Sequence, residues 1–424
     1  MKKVLIVCDY FFPSTLVGAV RPSKIAKYLK ADNYSVDVFT RYPTDDSTDE
    51  FCDGFYSFDK KKKSNEASSG SISKISKIKK FASSHFSRLY HKMFKIKSAL
   101  EQSKSDKGML EAFKKFVSEK TFQYDVIFTT FGPLGSILCG MYYKKTFPDV
   151  RWICDFRDPA VVSQRGYIEN LYMRHMQNRA CNLADKIVAV SNGYIERICG
   201  DKYKEKRYMI PNGYDTDDLA YEPKDSERSG CLQFVYAGYL YRNMRDITPI
   251  FKAINELLHE GKVERNKIRF NYAGNDCANL VIQAKRFEVE DIIADYGVLP
   301  RKDCLKLQFS SDLLVLSTWN TKKENGVFPA KLLEYMLIGK PIVTTIAGDV
   351  PDSEIAQVVR EGNFGAVYEE TNAESDYCAL KEYILEQYSF CVQNEKIPFS
   401  PNAEVLNRYN YKNIIKQIEA VIEE

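Results

Sequence analysis

The feature that most constrains this chain is a buried-strand pattern that begins at its first residues and alternates with helical patterns. The run "KKVLIVCDYFFPS" is typical of a strand and a polar loop, "RPSKIAKYLK" of an amphipathic helix, and "YSVDVFTR" of a second strand. A βαβ unit of this kind predicts a parallel, doubly wound sheet. The fold class we predict is therefore α/β.

A second α/β series follows a polar stretch and predicts a second domain. Residues 216–231 are polar and contain proline, glycine and serine, which is typical of a linker, and strand patterns resume at "LQFVYAGYL". The 424 residues leave room for two domains with separate cores. We therefore expect an N-terminal domain over residues 1–215, a C-terminal domain over 232–400 and a last amphipathic helix within 401–424.

A basic insertion interrupts the first domain at about residues 44–110. Between Lys60 and Lys97 there are about a dozen basic residues and one acid, Glu66, with isoleucine, phenylalanine and leucine at helical spacing. Such a segment can lie on an anionic membrane surface. It can equally pack on its own domain with a solvated basic face, and the sequence leaves both interpretations open.

Charge and cysteine usage narrow the classes of partner and compartment. The net charge of +4 is too small to indicate a nucleic-acid partner. The eleven cysteines include no CxxC pair, and the four histidines lie at no ligand spacing, so reduced thiols without a structural metal are expected. There is no signal-peptide pattern and no apolar run of the length that crosses a bilayer. We expect a cytoplasmic protein, at most peripheral at the inner face of the cell membrane.

The stretch "ENGVFPAKLLEYMLIGKPIVTT", residues 324–345, predicts a loop, a short helix and a buried strand. Its leucines face a core, which puts Lys331 and Glu334 on the other side of the helix. A glycine-containing loop that leads into a helix N-terminus favours an anion. A cation and a carboxylate one turn apart could hold a phosphate and a hydroxyl, or they could form a surface ion pair worth tenths of a kcal/mol.

Other candidate ligand groups follow predicted strands, where open α/β sheets bind their ligands. Arg242 and Arg245 in "YAGYLYRNMRD" present guanidinium forks that suit a diphosphate, or are ordinary residues of a solvated loop. Gly18 precedes a helix, where backbone could approach an anion. No G-x-G-x-x-G or Walker A pattern occurs, so nicotinamide binding is not indicated.

Acidic residues crowd the end of the strand in "WICDFRDP". Asp155 or Asp158 could orient a sugar hydroxyl or stabilise a cationic transition state. Alternatively, an aspartate and Arg157 form an ion pair that closes the strand end. Spacing alone does not separate these two hypotheses.

The order of these motifs resembles that of the family 4 type of retaining glycosyltransferases, which have the GT-B fold and include enzymes that build bacterial surface polysaccharides. The motifs are "DYFFPS", "GAVRPSKIAKYL", "DFRDP", "NGYD", "YAGYLY" and "FPAKLLEYMLIGKPIV", in that order across nearly the full chain. The last is the most specific. The resemblance is poorest in the basic insertion.

This resemblance implies two Rossmann-like domains that face each other across a cleft, with the final helix packed back on the first. The C-terminal domain would hold a nucleotide-diphosphate sugar, and the "YGVLP" loop would cover its base. Glu334 matches the carboxylate that accepts hydrogen bonds from the ribose hydroxyls. Lys331 with Arg242 or Arg245 matches the cations that neutralise the diphosphate.

The resemblance assigns two glycines to the donor phosphates and departs from the family at two places. Amides from Gly326 onward would meet the phosphate or sugar, and Gly18 matches the glycine loop of the first domain. The family often has two glutamates separated by seven residues, but counting back from Glu334 reaches Gly326, with Glu324 two residues further upstream. Many members also have a histidine where this chain has "DFRD", which makes Asp158, and after it Asp155, the candidate catalytic groups.

The predicted function is transfer of a sugar, with retention, from a nucleotide-diphosphate donor to a glycan or lipid-linked acceptor in cell-surface polysaccharide biosynthesis. Fixed cations and a helix N-terminus can stabilise the departing diphosphate, so no metal or other cofactor is expected. One alternative is a GT-B-fold nucleotide-sugar epimerase or hydrolase. Another is a non-catalytic partner in a polysaccharide-assembly complex. The sequence does not identify the sugar, the base, the acceptor or the linkage.

Overall fold

The computed structural model describes residues 1–14, 16–44, 46–58, 84–162, 165–218, 230–241, 244–393 and 397–424, with residues 84–100 as a helical backbone. Three sequence-based predictions therefore lie wholly or mostly outside the described residues. These are Arg242, the greater part of the 216–231 linker and the greater part of the basic segment 60–97.

The first domain contains a seven-stranded parallel sheet of order β3-β2-β1-β4-β5-β6-β7. Its strands are β1 (Lys3–Cys8), β2 (Ser35–Thr40), β3 (Gly54–Ser57), β4 (Val126–Phe131), β5 (Arg151–Phe156), β6 (Lys186–Ala189) and β7 (Arg207–Met209). Its helices are α1 (Val17–Ala31), α2 (Ser84–Ser118), α3 (Gly135–Thr146), α4 (Tyr167–Leu183) and α5 (Asn192–Cys199). The order reverses at β1 and β4, which makes their carboxyl ends a topological switch point.

The second domain contains a six-stranded parallel sheet of order β10-β9-β8-β11-β12-β13. Its strands are β8 (Leu232–Ala237), β9 (Ile268–Ala273), β10 (Ile293–Asp295), β11 (Leu313–Trp319), β12 (Ile342–Ala347) and β13 (Gly365–Glu369). Its helices are α6 (Thr248–His259), α7 (Cys277–Lys285), α8 (Arg301–Ser310), α9 (Ala330–Ile338), α10 (Glu354–Glu361) and α11 (Ala373–Val392). The predicted α/β class with two Rossmann-like sheets is confirmed.

Each sheet is buried on both faces, which explains why its strands are apolar runs rather than alternating patterns. In β1, Leu5 and Val7 belong to one core and Val4 and Ile6 to another, because successive side chains point to opposite faces. No described helix is both long and apolar enough to cross a membrane.

The last two helices, α12 (Ala403–Arg408) and α13 (Tyr411–Glu423), return the chain to the first domain. Ile414, Ile418 and Ile422 are fully buried on the α1 face of the first sheet, in the same core as Val4. The backbone of Tyr214 pairs with residues on both sides of Asn410. The C-terminal segment therefore packs as part of the first domain.

Three residues of α1 anchor the segment that leaves the first domain. Arg21 Nη1 donates to the Pro211 carbonyl at 2.7 Å, and Lys24 Nζ lies 2.6 Å from the Asp215 carboxylate. Tyr28 also donates to Asp215, at 3.0 Å. The "GAVRPSK" and "NGYD" motifs are thus in direct contact, although about 190 residues separate them in the chain.

Candidate functional site

A lysine ammonium lies at the carboxyl end of β8, where a glycine makes room for it. Gly238 has a φ of +139°, which L side chains rarely adopt, and a Cβ at this position would overlap Lys331 Nζ. Lys331 is the second residue of α9, and its Nζ lies 4.5 Å from the centroid of the Tyr236 ring. The sequence "YAG" therefore has a glycine where the backbone must leave space for a cation.

The Lys331 ammonium is buried and makes no hydrogen bond to any described residue. The pKa of Lys331 is lowered to about 7, mainly by burial and also by the neighbouring Arg245, while Glu334 acts in the opposite direction. A buried cation without an anion is unfavourable in the folded protein. Such a group is therefore suited to receive an anionic ligand.

Arg245 supplies a second cation beside the first. Its Nη1 donates to the Tyr239 carbonyl at 2.8 Å and to the Tyr236 hydroxyl at 3.2 Å. Its guanidinium carbon lies 4.6 Å from the Tyr241 ring centroid, while its Nε is buried without a partner among the described residues. The aromatic contact fixes the guanidinium plane and leaves a donor for a ligand.

Glu334 does not form the surface ion pair that the i,i+3 spacing allows. One of its oxygens accepts from Gln308 Nε2 at 2.9 Å, and the other lies 3.9 Å from Arg301 Nη1. The Glu334 side chain is 25% exposed to solvent. The carboxylate is held from one side by α8 and keeps an accessible oxygen beside the Lys331–Arg245 pair.

Gly326 lies at the junction of the two domains. Its Cα would be 2.5 Å from a Cβ built on Gly193, and its own positive φ of +74° favours glycine. Ser191 Oγ donates to the Gly326 carbonyl at 2.7 Å, and Arg197 Nη1 donates to Asn325 O at 3.3 Å. The loop that precedes α9 therefore rests on the start of α5 in the first domain.

Glu354 also connects the domains, and sequence reasoning missed it. Its two carboxylate oxygens accept from the backbone amides of Asn192 at 2.9 Å and Gly193 at 2.7 Å, at the N-terminus of α5. A carboxylate at this position satisfies amides that have no partner within the helix. The sequence "SNG" is typical of a helix start, but nothing in the sequence identifies Glu354 as the residue that accepts from the amides of this start.

Glu324 is the glutamate nearest to the family's first position, and it faces its own domain. It is buried, and its carboxylate accepts from the Trp319 indole at 3.2 Å. Trp319 ends β11 and contacts the Tyr241 ring. Glu324 thus braces the strand end beside the Arg245 cluster.

Asp155 lies in an interior ion pair rather than at an open surface. This side chain is fully buried, and it accepts from Arg21 Nε at 3.0 and 3.1 Å, from Arg21 Nη2 at 2.9 Å and from Thr130 Oγ1 at 2.8 Å. Its oxygens are occupied by an interior bidentate ion pair, so no face remains for a substrate. The ion-pair partner of Asp155 is therefore Arg21, whereas Arg157 lies 3.7 Å from Asp158.

Arg157 instead joins two loops at the switch point of the first sheet. Its guanidinium donates to the carbonyls of Gly18, Gly132 and Phe131, the last at 3.1 Å. A Cβ at Gly18 or Gly132 would overlap the guanidinium. The close approach of the Gly18 backbone is therefore to an arginine of its own domain.

Asp158 remains accessible, with 64% of its side chain exposed. It lies 3.7 Å from Arg157 Nε. Partial desolvation by the surrounding protein raises the pKa of Asp158, although Arg157 and Arg165 act in the opposite direction. Of the two predicted aspartates, this is the one that can contact a ligand.

These groups can bind an anion that carries a polyol. Lys331 and Arg245 form a positive pair with which no carboxylate of the described part of the chain is in contact, and Glu334 offers an acceptor beside them. Cations of this kind stabilise negative charge that develops on a leaving group. Asp158 belongs to the first domain and follows the carboxyl end of β5, just as the cations lie at the carboxyl end of β8 in the second domain.

Comparisons with known proteins agree with this architecture. Residues 232–385 match the family model of glycosyl transferases group 1. No curated protein sequence matches the chain. Among solved structures, it is similar to a glycosyltransferase from Rickettsia africae (14% identity, TM-score 0.54, covering 100% of this chain and 98% of that one).

Two further solved structures are also similar to this chain over its full length. WaaG, a glycosyltransferase involved in lipopolysaccharide biosynthesis, shares 13% identity at a TM-score of 0.50, covering 99% of each chain. S. aureus MnaA, solved with UDP, shares 15% identity at a TM-score of 0.51, covering 100% of this chain and 96% of that one. The chain thus has the GT-B fold, and its C-terminal domain matches the group 1 glycosyl transferases.

Proposed function

We propose that this GT-B chain, whose C-terminal domain matches the group 1 glycosyl transferases, transfers a sugar from a nucleotide-diphosphate donor to a glycan or lipid-linked acceptor. The observation that carries the proposal is the pair of cations at the end of β8. Lys331 Nζ and Arg245 Nε are both buried, and neither has a partner among the described residues. A diphosphate supplies the charge that this pair lacks.

In the proposed complex, the diphosphate lies between Lys331, Arg245 and the start of α9. The N-terminus of α9 contributes unpaired amides and the positive end of the helix dipole. Glu334 accepts from the ribose hydroxyls through its accessible oxygen, while Gln308 holds the other. Arg242 lies outside the described residues and stays a candidate third cation.

The chemistry follows from the charge that develops on the donor. When the bond to the sugar breaks, negative charge accumulates on the nucleoside diphosphate, where Lys331 and Arg245 are already placed. We propose that these cations, rather than a metal, stabilise the departing group. We also propose that transfer proceeds with retention, by attack on the face that the diphosphate leaves, with Asp158 orienting the acceptor.

A thermal-shift screen with UDP, GDP, CDP and ADP tests the nucleotide site. One nucleotide should raise the melting temperature, and Glu334→Ala or Lys331→Ala should abolish the shift. Glu382→Ala and Lys285→Ala, at exposed helix positions of the same domain, serve as matched controls and should keep it. Absence of a shift with all four nucleotides would remove the proposal and favour a non-catalytic partner.

An assay by mass spectrometry over a panel of donors tests the reaction. Sugar transfer that requires an acceptor, survives EDTA and keeps the anomeric configuration is the expected result. Asp158→Ala should lower kcat without changing the affinity for the nucleotide. Conversion of the donor without an acceptor, to an isomerised or hydrolysed sugar, would instead identify an epimerase or hydrolase on the same fold.

We further propose that the acceptor is met at an anionic membrane surface, as part of cell-surface polysaccharide biosynthesis. The basic segment 60–97 supports this by its composition alone. Deletion of residues 60–97 should lower binding to liposomes and leave the affinity for a soluble donor unchanged. Equal liposome binding by the deletion variant would remove the role of this segment.

A further inference from the structure

The outward face of α4 carries a contiguous apolar group. Tyr167 and Ile168 are 78% and 82% exposed, more than any other large hydrophobic residue whose side chain the structure describes, except the N-terminal methionine. Leu171 and Tyr172, one turn further, are each 49% exposed. Isolated exposed apolar residues are ordinary, but a group of four on one helix marks a surface that meets another apolar phase.

The opposite side of α4 fixes this orientation. Met173, Met176 and Ala180 are buried in the core of the first domain. Near its first turn, Asn170 exchanges hydrogen bonds with the backbone of Val162, at 2.8 and 3.2 Å. The apolar group therefore cannot turn inward without loss of this packing.

Two cations share the exposed side of α4 with the apolar group. Arg174 and Arg179 are exposed and make no hydrogen bond or ion pair with any described residue. The single acid of α4, Glu169, lies 3.2 Å from Arg165 and is thereby paired. Helical spacing puts Arg174 beside the apolar group, on the Tyr167 flank, and Arg179 in line with Ile168 and Tyr172, about two turns beyond Tyr172. The face is therefore apolar over the first two turns of α4 and positive beside and beyond them.

We propose that the α4 face, formed by Tyr167, Ile168, Leu171, Tyr172, Arg174 and Arg179, docks on an anionic lipid bilayer. Aromatic and aliphatic side chains of this kind enter the head-group boundary, and the arginines meet lipid phosphates. The charge pattern favours lipid over a second copy of this chain, because a self-complementary interface would bring these arginines towards each other.

The position of the α4 face is compatible with sugar transfer to an acceptor in the membrane. The loop that leads into α4 follows β5 and carries Asp158. A bilayer at the α4 face would therefore lie beside the edge of the first sheet at which Asp158 is accessible. This functional consequence rests on the proposed transfer activity, whereas the docking itself does not.

Vesicle co-sedimentation of the full chain tests the proposal. The protein is mixed with phosphatidylcholine vesicles that contain or lack phosphatidylglycerol. Ile168→Ser with Tyr172→Ser removes apolar contact, and Arg174→Ala with Arg179→Ala removes charge. The matched control is Lys285→Ala with Arg286→Ala, two exposed cations on the second domain.

The arginine pair should weaken binding to the anionic vesicles by about 25-fold, because each basic residue near such a surface contributes about fivefold. The apolar pair should weaken it by about tenfold, because two side chains no longer enter the head-group boundary. The control should bind like the parent chain, and all variants should keep the parent melting temperature.

Unchanged vesicle binding by both test pairs would overturn the docking, whatever segment 60–97 contributes. A loss of self-association without a loss of vesicle binding would assign the face to a second copy instead. A nucleotide shift with no vesicle binding would overturn the docking and leave the transfer function standing.

Discussion

Gly193 of the first domain and Gly326 of the second lie backbone to backbone at the domain junction. A Cβ on Gly326 would be 2.6 Å from the Gly193 Cα, and a Cβ on Gly193 would be 2.6 Å from the Gly326 amide nitrogen. No larger residue fits at either place without separation of the two surfaces. Because Gly326 begins the loop that leads to Lys331, this contact ties the arrangement of the domains to the proposed donor site.

Gly193→Ala should hold the domains apart. We expect kcat to fall at least tenfold, since the acceptor and donor groups come from different domains, while the affinity for nucleotide changes little. Small-angle scattering should report a larger radius of gyration. Gly166→Ala is the matched control, because a Cβ there meets nothing within 4 Å. Equal turnover by the two variants would show that the contact is not needed.

Glu354→Gln should loosen the same junction through charge rather than size. The carboxylate accepts from two backbone amides at the N-terminus of α5, and the neutral amide keeps at most one good acceptor. A charged partner at a helix N-terminus is worth about 0.3–1 kcal/mol, and up to about 2 kcal/mol when partly buried. Turnover should therefore fall about two- to tenfold, while the melting temperature of the variant equals that of the parent chain. A variant as active as the parent would contradict this role.

Lys331→Met should change stability in a pH-dependent way. Burial lowers the pKa of Lys331 to about 7, whereas an unfolded lysine has a pKa of about 10.4. Between these values the unfolded chain binds more protons at this site, so the stability of the parent rises with pH across the window. Below pH 7 the folded chain carries the full cost of a buried, unpaired charge.

The stability difference is measured by urea unfolding without nucleotide. We expect Lys331→Met to be more stable than the parent by roughly 1–3 kcal/mol at pH 6, with the difference shrinking towards pH 9.5. Lys285→Met, at an exposed position, should show no such trend. An identical difference at both pH values would mean that Lys331 is not a buried, titrating cation.

Asp155→Asn should destabilise the first domain rather than act on chemistry alone. It leaves the buried Arg21 guanidinium without its carboxylate, which typically costs about 3–5 kcal/mol. The double variant Arg21→Met with Asp155→Leu should recover much of that loss. The activity of the folded double variant distinguishes a structural role of Asp155 from a catalytic one. We expect substantial turnover. Complete inactivity at the stability of the parent would instead support Asp155 as a catalytic residue.

The exposed pair Arg265 and Asp291 provides the comparison for that experiment. It has a short separation of 2.6 Å but lies on the surface. Replacing it by Met and Leu should change the free energy of unfolding by less than about 1 kcal/mol, because solvent screens exposed pairs. The contrast measures what burial adds to an ion pair of similar geometry.

The local part of the candidate site could be predicted from the sequence. The glycine loop before a short amphipathic helix, with Lys331 and Glu334 on its polar side, follows from spacing and capping within one segment. The sheets could also be predicted, because parallel strands that are buried on both faces appear as continuous apolar runs. Arg245 was found for a similar reason, since it follows a strand directly.

The partners of charged residues could not be predicted in the same way. Asp155 is 134 residues from Arg21, and Glu354 is 162 residues from the Asn192 amide. Sequence spacing within "DFRD" left open whether an aspartate pairs with Arg157. In the structure Arg157 lies 3.7 Å from Asp158 and donates to the loops of Gly18 and Gly132. The partner of Asp155 is the remote Arg21.

By itself, the sequence determined the α/β class, the two sheets and the chemistry available at each strand end, because these depend on patterns within a few turns or strands. Only the tertiary structure decided which charges are neutralised and which are not. Arg21 meets Asp155 in the interior, while Lys331 and Arg245 meet no carboxylate of the described residues within hydrogen-bond distance. The physical reason is that pairing depends on distance in space and on desolvation, and both are set by packing between segments that are remote in the chain.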